Sequence, residues 1–119
     1  MQFLVIEKLA TQTGLSPELF QQVPGILHAI SDYNQALTKQ GKVKASWGFA
    51  DGPGAAFVLD VESPEELTRL IGASPSNAFP LTREVHPISS VPGNLAVAEQ
   101  VVREQIAQQD AMARQQRPT

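Results

Sequence analysis

Residues 43–67 read VKASWGFADGPGAAFVLDVESPEEL: two strand-like runs joined by a turn and followed by a helix start. In the first run Val43, Ala45, Trp47 and Phe49 alternate with Lys44, Ser46 and Gly48. That period of two is the mark of a half-exposed strand with the apolar set on one face. Asp51-Gly52-Pro53-Gly54 supplies turn chemistry, so the two runs are expected to form a hairpin. The second run, Ala55 to Val61, is apolar on both faces. Ser63-Pro64-Glu65-Glu66 then combines a hydroxyl cap, a proline at the first helical position and a glutamate three residues after the cap. This is the strongest local signal in the chain, and it starts a helix that carries Leu67, Leu70 and Ile71 and stops near Gly72.

Moving toward the amino end, Gly41 is a natural stop for a helix on which Ile26, Ile30, Tyr33 and Leu37 recur at helical spacing. Ser16-Pro17 starts that helix, and Pro24-Gly25 predicts a kink or restart within it, because proline lacks the N–H that closes a helical turn. Thr11 to Leu15 is turn-like, and Phe3 to Leu9 is a first strand. Toward the other end, Ala73 to Ala78 is a loop and Phe79 to Ile88 a fourth strand bounded by prolines. The order β-α-β-β-α-β is that of the ferredoxin-like α+β fold. Ser89 to Gly93 is expected to be a linker, with Asn94 capping an extra C-terminal helix to about Gln115. Residues 1–88 and 89–119 are thus taken as a domain and an appended amphipathic helix, in which Leu95, Ala98, Val102, Ile106 and Ala113 make a narrow stripe. Arg117-Pro118-Thr119 should fray.

Composition narrows the function. The 119 residues include no cysteine, which removes disulfides and thiolate zinc sites. A net charge of −3 with both signs dispersed offers no patch for nucleic acid or anionic membrane. The longest apolar runs, such as Ala55–Leu59, are too short to span a bilayer. Met1 to Lys8 reads as a strand and not as a secretory leader, so the cytosol is the expected location.

Two helices cover one face of a four-stranded sheet. Strands one and three are nonetheless apolar on both faces: Phe3 and Val5 oppose Leu4 and Ile6, and Phe57 and Leu59 oppose Ala56 and Val58. A bare second face would exceed the roughly 300–600 Å² patch usual on monomers. Either the C-terminal helix covers it or a second copy does, and the latter closes a dimeric α+β barrel with an apolar cavity for a small hydrophobic ligand.

Tyr33 through Leu37, Gly41-Lys42, Trp47, Asp60-Val61-Glu62-Ser63, Glu66-Leu67, Phe79-Pro80, Glu84-Val85 and Pro87 together give a pattern that resembles the muconolactone isomerases over residues 1–88. The resemblance implies ferredoxin-like dimers that assemble into larger rings. It also implies an enzyme that moves a double bond in an unsaturated lactone by proton transfer, without metal or cofactor. Five positions depart from that family's polar pattern. Ala45 and Gly48 stand where it has histidine and arginine, Gly54 and Ala56 where it has tyrosine and asparagine, and Thr68 where it has histidine. These departures carry the alternative, a non-catalytic oligomeric binding or scaffold protein that kept the fold.

Proton transfer beside a carbonyl needs a base and a donor for the developing oxyanion. Glu7, at the end of strand one, is either a buried base or a solvated carboxylate. Glu84 and His86 share a face of strand four and form either a base–donor pair or surface charges, with Lys44 as a cross-strand partner. Arg83, on the opposite face, is paired or at the rim. Tyr33 and Trp47 are core residues or line a ligand cavity by their polar tips. His28 falls opposite the apolar stripe of its helix, with Asp32 one turn on, and Asp60 is placed to support the second helix's N-terminus. Metal-ligand spacing, phosphate loops and dinucleotide fingerprints are missing from the sequence.

Overall fold

The computed structural model describes residues 1–10 and 14–116. The turn expected over Thr11 to Leu15 lies largely outside the described residues, and the fraying of Arg117-Pro118-Thr119 wholly outside them. The chain divides into two compact units, Met1–Ile88 and a second that starts at Ser89.

In the first unit the order is β1 (Gln2–Leu9), α1 (Pro17–Lys39), β2 (Val43–Gly48), β3 (Gly54–Asp60), α2 (Pro64–Gly72), a 3-10 turn (Pro75–Ala78) and β4 (Leu81–Ile88). The strands lie in the order β2-β3-β1-β4, with every neighbour antiparallel. This is the expected ferredoxin-like α+β arrangement. Phe79-Pro80, read as the start of the last strand, instead leaves the 3-10 turn, which Ser74 caps through the N–H of Ser76. Helix α1 runs unbroken through Pro24, so the expected restart is absent. The proline removes one donor, opposite the Phe20 carbonyl, while the rest of the ladder and the Ser16 cap hold the helix. Gly41, with φ at +74°, takes the left-handed position after α1 that a side chain resists.

Val5, Leu37, Val43, Leu59, Val61 and Leu67 are buried together between the sheet and the helices. Tyr33 joins the two helices: its hydroxyl donates to the Leu70 carbonyl at 2.5 Å, and burial pushes its pKa up. The register puts Phe3, Val5 and Glu7 on the helix-covered face with Leu59, Phe57 and Ala55, and puts Leu4 and Ile6 on the other with Val58 and Ala56. Strand β2 departs from strict alternation. Val43 faces Leu59, but Ala45 faces Val58, so Lys44 is an extra residue that forms a bulge. Beyond it Ser46 opposes Phe57, while Trp47 opposes Ala56. The expected grouping of Val43 with Ala45 and Trp47 is therefore corrected: the bulge sends Trp47 to the face away from the helices.

Glu66 shows how α2 is anchored. Ser63 accepts the Glu66 N–H at 3.1 Å, as a cap should. The Glu66 carboxylate does not return to Ser63; it accepts the Glu62 N–H at 3.0 Å and pairs with the Lys42 ammonium. The Lys42 hydrogen bond, then that of Glu62, holds the Glu66 pKa below the usual glutamate value. A depressed folded pKa gives stability that is present above the unfolded value and lost as pH falls through the folded one. Thermal unfolding across the acid range is expected to show this loss, and Glu66→Gln to flatten it.

In the second unit α3 spans Val91–Gln116. The assignment of Asn94 as its cap is corrected: Ser90 caps it, accepting the Gly93 N–H at 3.2 Å, and Pro92 lies in the first turn. None of its residues is buried. Among the described residues no helix is long and apolar enough to cross a membrane.

Candidate functional site

The antiparallel register brings Glu7 and Arg83 side by side on the covered face. Glu7 is 7% exposed, and its Oε1 accepts from Arg83 Nε at 3.1 Å. Arg83 Nη2 also donates to Asn77 Oδ1 at 2.9 Å, and Asn77 Nδ2 donates to the Ile71 carbonyl at 2.8 Å. The last turn of α2 thus fixes Asn77, which fixes Arg83, which fixes Glu7. Glu7 Oε2 accepts no hydrogen bond among the described residues.

Glu7 forms part of the wall of a cavity of about 360 Å³ between α1, the sheet and the 3-10 turn. Most of that wall is apolar, with Leu9, Val23, Leu27, Ile30, Phe57 and Phe79 contributing. Three polar side chains join Glu7: Asn34, Ser74 and Ser76. The two serine hydroxyls are 2.7 Å apart and share one hydrogen bond. The Asn34 carboxamide makes no hydrogen bond among the described residues. An apolar enclosure with a few convergent polar groups is the usual shape of a small-molecule site.

The other named residues divide between the two faces. Tyr33 lies on the covered side, with its hydroxyl committed to Leu70. Trp47 lies on the opposite face and is 57% exposed. Glu84 and His86 are also there, opposite Ile6 and Leu4, with His86 Nε2 3.3 Å from Glu84 Oε2 and both side chains exposed. The structure therefore brings Glu84 and His86 together and separates that pair from Glu7 by the thickness of the sheet. No contact joins Lys44 to Glu84 among the described residues. Asp60 pairs with the Met1 amino group at 3.3 Å and not with α2, and His28 stands exposed beside Asp32 at 3.5 Å. Asn34, Ser74 and Ser76 were not singled out from sequence. Asn34 follows Tyr33 on α1, and the serines sit in what reads as an ordinary loop.

Among the described residues no group of three or more histidines or carboxylates is placed to hold a metal ion. Gly54 lies across from the site's strand: a Cβ there would be 2.5 Å from the Glu7 carbonyl oxygen and 2.9 Å from the Phe49 ring. Gly54→Ala is expected to cost about 1–3 kcal/mol through this overlap, read as a lower denaturant midpoint.

Fold and cavity together define a ferredoxin-like α+β protein with one buried carboxylate facing an apolar enclosure. Residues 1–94 match the family model for muconolactone delta-isomerase, and the chain belongs to that family. The match ends within the first turn of α3. Among solved structures, a muconolactone isomerase superposes with a TM-score of 0.64 at 22% identity, covering 77% of this chain and 92% of that one. The 5-chloro-2-hydroxyhydroquinone dehydrochlorinase of Burkholderia phenoliruptrix AC1100, in complex with 2,5-dihydroxybenzoquinone, superposes with a TM-score of 0.57 at 18% identity. That likeness covers 78% of this chain and 98% of the dehydrochlorinase. No curated protein matches the chain.

Proposed function

We propose that this member of the family is an isomerase of small cyclic carbonyl compounds, unsaturated lactones among them, with Glu7 as its base. The observation that carries the reading is the buried Glu7 carboxylate in the wall of a mostly apolar cavity. The family name and the dehydrochlorinase's bound quinone both denote small cyclic carbonyl compounds. In the step envisaged, Glu7 Oε2 takes a proton from the carbon between the ring double bond and the carbonyl. The C–H electron pair moves into the conjugated system and leaves charge on the carbonyl oxygen, to which the Asn34 amide in the cavity wall donates. The protonated carboxyl returns its proton at the far end of the allylic system. Atoms and electrons balance with no co-reactant.

In this reading the opposite face, with Leu4, Ile6, Val58 and Trp47, is where copies associate, as a dimer or a larger ring. Glu84 and His86 flank that surface, and the protein works in the cytosol. The second reading, a binding protein without chemistry, is favoured by the side chains at Ala45, Gly48, Gly54 and Ala56, which carry no functional group. Double-bond migration followed by NMR in deuterated water tests both. Double-bond migration is expected, with deuterium entering the product only so far as the Glu7 proton exchanges with solvent before it is returned. Ligand binding with no migration would overturn the enzyme reading in favour of the binding protein.

A further inference from the structure

Helix α3 carries its apolar residues and its charges in two adjacent rows. Val91, Leu95, Ala98, Val102, Ile106 and Ala113 recur at helical spacing and keep to one arc of roughly 80° along the helix. None of them is buried: Leu95 is 64% exposed, Val102 53% and Ile106 52%. Of the five charged residues between Val91 and Gln116, four lie beside that arc on the same side, within a further 60° or so: Glu99, Arg103, Asp110 and Arg114. Glu104 falls on the far face, where Gln100 donates to it at 3.3 Å. The other side of the stripe carries Asn94, Gln105 and Met112, with no charge among them.

The signs along the charged row run minus, plus, minus, plus, and they reverse about a point between Ile106 and Ala107. Turned end for end about that point, Glu99 comes opposite Arg114 of a second copy and Arg103 opposite Asp110, each pair occurring twice. Charges that flank an apolar seam set the partner and the direction of a helix pair. In an antiparallel pair each flank meets the same flank of the other helix, so the charged row meets its own complement. In a parallel pair it meets the uncharged flank. Within one helix Arg103 Nη2 reaches Glu99 at 2.6 Å, while Asp110 and Arg114 make no ion pair among the described residues. A lipid surface is the poorer partner, because helices that lie on it are rich in Lys and Arg, and here three acids outnumber two arginines. From this we infer that α3 is a self-association element, packing antiparallel along α3 of a second copy with the apolar stripe as its seam and the charged row selecting the direction. The family model ends at residue 94, so the surface lies beyond the matched part of the chain, and the inference needs neither the cavity nor the sheet face. Gln109 interrupts the seam, at a cost in stability, which makes the pair weak and sensitive to salt.

Three double variants of the full-length chain test this by sedimentation equilibrium at low ionic strength. Arg103→Glu with Arg114→Glu makes the row wholly acidic, and Glu99→Arg with Asp110→Arg makes it wholly basic. Each alone is expected to associate at least about tenfold more weakly than the wild type, and a one-to-one mixture to recover the wild-type mass and lose it again as salt is raised. Arg103→Glu with Asp110→Arg is the control: it sets like charges four residues apart within a helix, as the other two do, yet keeps opposite charges across the antiparallel pair. It should associate like the wild type. Repeating the comparison in Val58→Asp reads α3 by itself, whatever becomes of the sheet face. Acidic and basic variants that associate as tightly as the wild type, a mixture no heavier than its components, or a control that fails with them overturns the inference.

Discussion

Glu7→Gln is expected to lower kcat on an unsaturated lactone by at least about 100-fold, the lower end of what a positioned general base contributes. The change in KM should be much smaller. Glutamine keeps the shape of the side chain, and its amide oxygen still accepts from Arg83 Nε, so the chain of contacts from Asn77 survives. What disappears is the capacity to take a proton. Alanine is the wrong probe, because it would leave the half-buried Arg83 guanidinium without its partner and unsettle the fold. Steady-state kinetics on Glu7→Gln beside Glu84→Gln and His86→Ala separate the two faces of the sheet. A rate loss confined to Glu7→Gln places the chemistry in the cavity; a loss confined to the other two places it on the opposite face and removes the assignment made to Glu7.

Val58→Asp is expected to raise the dissociation constant for self-association by at least about 100-fold, equivalent to some 3 kcal/mol. Val58 stands on β3 between Leu4 and Ala45, on the face opposite α1 and α2. A carboxylate there would be desolvated in any pairing of two such faces, and no cationic side chain is registered against it. Concentration-dependent light scattering should show the variant shifted toward monomer, with its far-ultraviolet circular dichroism unchanged. The neighbouring Leu59 points the other way into the core, so Leu59→Ala should lower stability by about 2–5 kcal/mol and leave the size of the assembly to concentration alone. A wild-type chain that is monomeric at every concentration would sink the pairing surface.

Much of the architecture was legible in the sequence because its cues are local and agree with one another. Ser16-Pro17 and Ser63-Pro64 each join a hydroxyl cap to a proline that fits a first helical turn, and both open helices where expected. Ser90-Val91-Pro92 carries the same message with one residue interposed, and for that reason the start of α3 was placed four residues late. Both-face apolarity in β1 and β3 translated directly into register. The candidate site was less legible because its members come from distant elements. Glu7 and Arg83 meet across 76 positions of sequence through strand pairing. Arg83 was seen to be on the face opposite Glu84, yet its partner follows only from which residue of β1 stands across from it. Trp47 was misplaced for a different reason: alternation is counted residue by residue, and a bulge changes the count without any glycine or proline to mark it.

Lys44 has a consequence for how the gene can change length. Because the bulge absorbs one residue between Val43 and Ala45, removing that codon would leave Ala45, Ser46 and Trp47 on the sides they already occupy. Alignments of related chains can therefore open a one-position gap at Lys44 without disturbing anything downstream. A gap one step later, inside Ala45–Trp47, would turn the indole over or force a new irregularity.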